Sequence, residues 1–153
     1  MALHESVNLL RQVKLLNCLN DDALTLIAFN CRLNVVREGE TLFYEGEDAT
    51  GAVLIASGSV TLSIHRNQTY HVVSRVGTGE LIDPFSMISL TRRSHTAKAD
   101  DNVSYMVIDR NTFHRVMEEF PNHAESIQDA IQEDMEETVT SLLRISRKLD
   151  ALN

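Results

Sequence analysis

The stretch GELIDPFSMISLTRRSHTAKA, residues 79–99, carries the residues best suited to chemistry. It ends in a basic couple, Arg92-Arg93, followed by Ser94. A guanidinium offers a planar fork of donors that fits a phosphate or carboxylate in a bidentate way. Upstream lie Gly79-Glu80, then Asp83-Pro84 ahead of Phe85-Ser86. Asp83 would set a negative charge beside the basic couple, and Pro84 has neither an N–H nor a carboxylate. The segment is therefore either a working anion-binding loop or one that has lost part of its equipment.

Other chemistry is poorly supported. Six histidines invite a metal reading, but His65 and His71 stand six apart across a turn signal, His95 is alone, and no His-x-His pair exists. They read as surface or structural residues, and no metal site is expected. No GxSxG, phosphate loop or Cys/His nucleophile pattern occurs. Glu118-Glu119, Glu133-Asp134 and Glu136-Glu137 read as solvated helix faces. Cys18 and Cys31 belong to no CxxC pair and read as buried free thiols. Catalysis is not expected.

Composition narrows the partners. The 153 residues fit one domain with a real core, and 43% are hydrophobic. A formal charge of -8 argues against broad binding to nucleic acid or anionic membrane, though a local basic patch can still hold one small anion. No signal peptide or membrane-spanning run is seen, so a cytoplasmic protein is the default expectation.

Three zones must position the loop. Residues 1–31 have helical periodicity, with Leu9, Leu10, Val13, Leu15, Leu16 and Leu19 as an apolar stripe. Asn20 suits the cap of a second helix that buries Leu24, Leu26, Ile27 and Phe29. Residues 32–109 alternate short apolar segments with turns: 33–36, 41–44, 52–56, 60–64, 70–76, 96–99 and 103–108. Such spacing predicts a β-sandwich or barrel. Residues 110–153 return to helix, Asp109 capping a short segment over 111–120 and Pro121 separating it from a long one. In the long helix Met135, Leu142 and Leu149 recur every seven residues. Ile131, Thr138, Ile145 and Leu152 make a second row, and Gln128 is a further polar member. This heptad pattern predicts a coiled-coil seam in a homodimer; packing on the chain's own domain would also give an apolar stripe.

The order of elements, and several blocks of sequence, resemble the cyclic nucleotide-binding domain. LLRQVKLLNCLNDDALTLIA is similar to that family's opening helix pair, and REGETLFYEGEDATGAVLIASGSVTLSI to its strand block with glycine turns. VSRVGTGELI resembles the strand leading into the ligand loop. The resemblance covers nearly the whole chain. It implies a mainly β fold with flanking helices: a double-stranded β-helix, or jelly roll, with an N-terminal helix pair, a short cassette helix and a long C-terminal helix. It also implies cyclic AMP or cyclic GMP as ligand.

The family's phosphate cassette has the pattern F-G-E-(L/I)-A-L, with R-(A/S)-A-T beginning nine residues after the glutamate. Its arginine pairs with the cyclic phosphate, its glutamate accepts from the ribose 2′-hydroxyl, and N–H groups of the short helix hold phosphate oxygens. RRSHTAKA fits the second half: Arg93 falls on the arginine, Ser94 on the small residue and Thr96 on the threonine. Counting back nine residues reaches Pro84, with Asp83 at the glycine position. A shifted register would pair Glu80-Leu81 with the Glu-Leu of the pattern, at the cost of a four-residue insertion. In the unshifted register, a lost charge-assisted bond and a repelling carboxylate predict affinity weaker by about two to three powers of ten. Arg93 then either pairs with Asp83 or faces an empty pocket.

The expected function is a non-catalytic, dimeric regulatory or sensor module with weakened or altered cyclic nucleotide binding. The alternative is a scaffold that binds no nucleotide and works through its coiled coil. Another signalling protein is the expected partner. DNA is not, since the acidic chain stops at the end of the long helix, where related regulators add a helix-turn-helix.

Overall fold

The central strand explains the architecture. GAVLIA lacks the polar alternation of a strand with one wet face, because it is covered on both. Ala52, Leu54 and Ala56 face a core shared with the helices, whereas Val53 and Ile55 face a second core inside the roll. The computed structural model describes residues 2–151.

The strands run β1 Leu33–Val36, β2 Thr41–Phe43, β3 Asp48–Ala49, β4 Gly51–Ser57, β5 Val60–Arg66, β6 Thr69–Val76, β7 Leu81–Ile82, β8 Thr91–Arg92, β9 Thr96–Ala99 and β10 Val103–Asp109. They form two four-stranded sheets, ordered β1-β10-β4-β7 and β2-β9-β5-β6, and a two-stranded β3-β8 piece. Every pairing is antiparallel, which gives the expected jelly-roll architecture of mainly β structure with flanking helices. The β5–β6 hairpin turns on Asn67 and Gln68, both at positive φ, as a two-residue turn between right-twisted strands requires.

The helices are α1 Leu3–Arg11, α2 Asp21–Phe29, α3 Arg110–Glu119 and α4 Pro121–Ala151, with short 3-10 turns at Lys14–Leu16 and Pro84–Met87. Both expected caps form. Asn20 accepts from the Ala23 N–H at 2.9 Å, and Asp109 accepts from the Thr112 N–H at 2.8 Å. Leu10, Leu16, Leu24, Ile27, Phe113, Val116, Ile127 and Ile131 meet Leu54, Met106 and Ile108 in one core, so the helices pack beside the roll.

Two sequence expectations fail here. Phe29, the last residue of α2, is 77% exposed, because it shares the last turn with the buried Ile27 and Ala28 but lies on the other side of the helix from Ala23, Leu24 and Ala28. Cys18 is exposed, lying between the 3-10 turn and α2. Cys31 is half-buried, and burial, aided by the Asp109 charge, pushes its thiol up to about 12.

Candidate ligand-binding site

The loop between β7 and β8 is built around Asp83. Its backbone is left-handed, φ 54° and ψ 54°, at the position where the cassette pattern has glycine. Asp tolerates this region better than most residues, at some steric cost. Pro84 follows at the first position of the 3-10 turn, where its fixed φ fits and no N–H is needed. The Ser86 N–H and hydroxyl both donate to the Asp83 carbonyl, at 3.1 and 2.6 Å, closing the turn. Arg110, at the start of α3, braces it from below: its Nη1 lies 3.2, 3.0 and 3.2 Å from the carbonyls of Ala49, Ser86 and Ser89.

Arg93 is held rigidly. Its N–H donates to the Glu47 carbonyl at 2.8 Å, and its carbonyl accepts from the Gly46 N–H at 2.9 Å. The guanidinium donates to Asp83 Oδ2 at 3.2 Å and stacks over the Phe43 ring, 4.5 Å from its centroid. The Arg93 and Asp83 side chains are only 6% and 11% exposed. The internal pair left open by the sequence is thus formed.

A cavity of about 480 Å³ lies above this pair, between the roll and α4. Leu62, Val73, Phe85, Met135, Leu142 and Ile145 supply much of its apolar lining. Asp83, Pro84, Ser86, Arg92, Ser94 and His95 line it from the loop side, and Asp134, Glu137 and Thr138 from the helix. Arg93 is absent from the lining, sealed behind Asp83 and Phe43. Glu80 is absent too. It is exposed in the turn before β7, its N–H bonded to the Gly77 carbonyl, so the shifted register finds no support.

The heptad stripe turns first toward its own roll. Ile131 is fully buried in the chain's own core and has no surface left for a second helix, which corrects its place in the expected seam. Met135, Thr138, Leu142 and Ile145 are half-buried and line the cavity. Gln128 is exposed, Leu149 is half-buried, and Leu152 lies outside the described residues. The reading of Asp134 as a solvated carboxylate is also corrected. It is half-buried on the cavity face, and burial, then Glu137, then Asp83 hold its carboxyl above the usual range.

His95, read in the sequence as a surface or structural histidine, is buried, and the period of β9 marks it. Ala97 and Ala99 point inward, and two further steps of two reach His95 and Arg93. The imidazole is 6% exposed and its Nδ1 has no hydrogen-bond partner. Burial pushes its pKa down, against smaller upward effects from Asp83 and Glu45. Among the described residues, no group of three or more His, Cys, Asp or Glu is placed to hold a metal ion, and no helix is long and apolar enough to cross a membrane.

A jelly roll that presents a short loop helix to a cavity roofed by a long C-terminal helix is a fold of the regulatory, sensor type. The family model for the cyclic nucleotide-binding domain matches residues 33–120, and the chain belongs to that family. A cyclic nucleotide-binding-like protein from Brucella abortus is 30% identical, with a TM-score of 0.68 over 74% of this chain and 98% of that one. The N-terminal domain of a Streptomyces coelicolor transcriptional regulator shares the fold at 21% identity and TM-score 0.75, over 88% and 94% of the two chains. So does the regulatory domain of Toxoplasma gondii PKA, crystallised with cAMP: 21% identity and TM-score 0.70, over 74% of this chain and 44% of that one. No curated protein matches the sequence significantly.

Proposed function

We propose that the chain is a non-catalytic sensor module of the cyclic nucleotide-binding type, with cyclic AMP and cyclic GMP bound weakly. The observation that carries this reading is the buried Asp83–Arg93 pair at 3.2 Å. A cyclic phosphate would have to displace the Asp83 carboxylate to reach Arg93, and Pro84 offers nothing to the ribose hydroxyl in exchange. The cavity is nonetheless present and roofed by α4, which supports a module that responds to some occupant over a scaffold that binds none. Its output would be a shift of α4 relative to the roll, a hinge-type change. Association as a homodimer would use the far half of α4, where Val139 and Leu143 are 39% and 52% exposed. Calorimetric titration with cyclic AMP and cyclic GMP tests the reading. No saturable binding is expected in the low-micromolar range, and a low-micromolar Kd for either nucleotide overturns it.

A further inference from the structure

The charges of α4 are sorted along its length. Residues 121–138 carry Glu125, Asp129, Glu133, Asp134, Glu136 and Glu137, and no Lys or Arg. Residues 139–151 carry Arg144, Arg147 and Lys148 against the single acid Asp150. Among the described residues, none of those three cations has an ion-pair partner within its own chain.

The outward face of the helix runs through Gln132, Glu136, Val139, Leu143, Arg147 and Asp150, spaced three or four residues apart and all exposed. Ile127, Ile131, Leu142 and Ile145 lie on the opposite side, toward the roll. Val139 and Leu143 sit in the middle of the outward face, 39% and 52% exposed, with acids before them and the basic residues after. Val139 also borders the cavity, and Leu143 does not. A fitting partner has its own apolar pair and the opposite order of charge. A second copy of α4 running the other way has both. In a parallel pair Glu136 would meet the partner's Glu136, and Arg147 the partner's Arg147. Two apolar residues per helix bury little area, so these charges decide the direction.

We infer that two copies join through α4 in antiparallel sense, with Val139 of each against the partner's Leu143. Arg147 then comes within one residue of the level of the partner's Glu136, and Arg144 within one residue of the partner's Glu137. A two-fold axis normal to both helices brings the same flank of each together, so each pair occurs twice. The crossing falls at Ser141, which also lines the cavity, so the two cavity roofs lie back to back. This rests on the homodimer reading and assigns the direction of the partner helix.

Spin labels read the direction. Cys18→Ser, Cys31→Ser and Gln132→Cys leave one labelling site on the outward face. Electron–electron distance measurement should place the two labels about 27 Å apart along the helices in the antiparallel dimer, and about 10 Å apart across a parallel one. A charge exchange checks the cause without labels. Glu133→Lys with Glu136→Lys reduces the net negative charge of -8, which favours association in general. In the antiparallel dimer it sets cations against the partner's Arg147 and Lys148, and the dimer Kd from sedimentation should rise at least about tenfold. Adding Arg144→Glu with Arg147→Glu reverses both segments and should restore the wild-type Kd. In a parallel dimer like charge faces like before and after the first exchange, so the Kd should not rise. Labels about 10 Å apart, or an unchanged Kd for Glu133→Lys with Glu136→Lys, overturn this inference and leave the homodimer standing. A wild type that is monomeric at high micromolar concentration overturns both.

Discussion

The Arg93 guanidinium donates to the Asp83 carboxylate at 3.2 Å, inside the loop where the cyclic nucleotide-binding pattern would place a phosphate. The pair couples two departures that look separate in sequence. Asp83 takes the left-handed backbone that glycine adopts most easily, and its side chain occupies the Arg93 guanidinium. Phe43 covers the guanidinium face, so the charge is matched and desolvated at once.

Removing Asp83 should therefore destabilise the domain in the absence of ligand. Stranding a buried guanidinium costs about 3–5 kcal/mol, offset by about 1 kcal/mol from relieving the left-handed residue. Asp83→Gly is expected to lower stability by about 2–4 kcal/mol in denaturant unfolding. Asp83→Gly with Pro84→Glu should gain about two powers of ten in cyclic AMP affinity. An equal thermal shift with nucleotide in wild type and double variant would show that more has been lost, for instance on the side of Val73 and α4.

Arg110 ties together three carbonyls, those of Ala49, Ser86 and Ser89. Bonds to a charged donor contribute more than neutral ones, so Arg110→Ala should cost about 2–3 kcal/mol. The loss should be local. Amide exchange over residues 84–90 should quicken more than over β4 or β5, and uniform quickening would argue against a bracing role.

Gly51 has a packing reason for being glycine. A Cβ there would fall 2.2 Å from the Ile108 carbonyl oxygen and 2.5 Å from the Asp109 Cα, both backbone atoms. Gly51→Ala should cost about 3 kcal/mol, since β4 and β10 must part to admit it. Gly77→Ala is the control. Its nearest neighbour would be 3.7 Å away, and a change within about 0.5 kcal/mol is expected. Similar melting temperatures for the two variants would contradict this account.

Much of the fold was legible because its signals are local. Turn residues bracket β1, β2, β4, β5, β6, β9 and β10, and Asn20 and Asp109 announce the helices they cap. The two-residue strands β3, β7 and β8 left no trace, being too short to show a period. At the site, the register singles out Arg93, Ser94, Asp83, Phe85 and Ser86, of which all but Arg93 line the cavity, whereas it gives no sign of Asp134. Its neighbours Glu133, Glu136 and Glu137 suggest solvent, but it lies three residues after Ile131 and four before Thr138, on the face that meets the roll. Which side of α4 meets the roll is a tertiary fact. The same stripe serves a partner helix or the chain's own cavity equally well, so periodicity could not choose between them.

Two sets of substitutions separate those uses of α4. Leu142→Asp with Ile145→Asp places charges on the cavity face, and should loosen α4 and lower the melting temperature. Leu143→Asp alters an exposed position outside the cavity lining, and should leave the melting temperature nearly unchanged at low protein concentration. If α4 joins two copies, sedimentation velocity should show a wild-type dimer and a monomer for Leu143→Asp. A wild type that is monomeric at high micromolar concentration would rule out dimerisation through α4.

Stability should fall as the pH drops below the ordinary imidazole value of about 6.5, and His95 should account for part of the slope. Its pKa in the folded state is pushed down, first by burial and against the pull of Asp83 and Glu45. Below about 6.5 the unfolded chain takes up a proton that the folded chain does not, which favours unfolding. The loss stops growing once the pH passes the lowered folded value. Asp134 acts with the opposite sign at lower pH. Burial, Glu137 and Asp83 hold its carboxyl up, so the folded state protonates first and gains stability as the pH falls toward the ordinary carboxylate range. Urea unfolding from pH 7.5 to 5, for wild type and His95→Gln, isolates the imidazole. The variant's slope should be flatter over the upper part of that window. Parallel curves for the two proteins would mean that His95 titrates alike in the folded and unfolded chain.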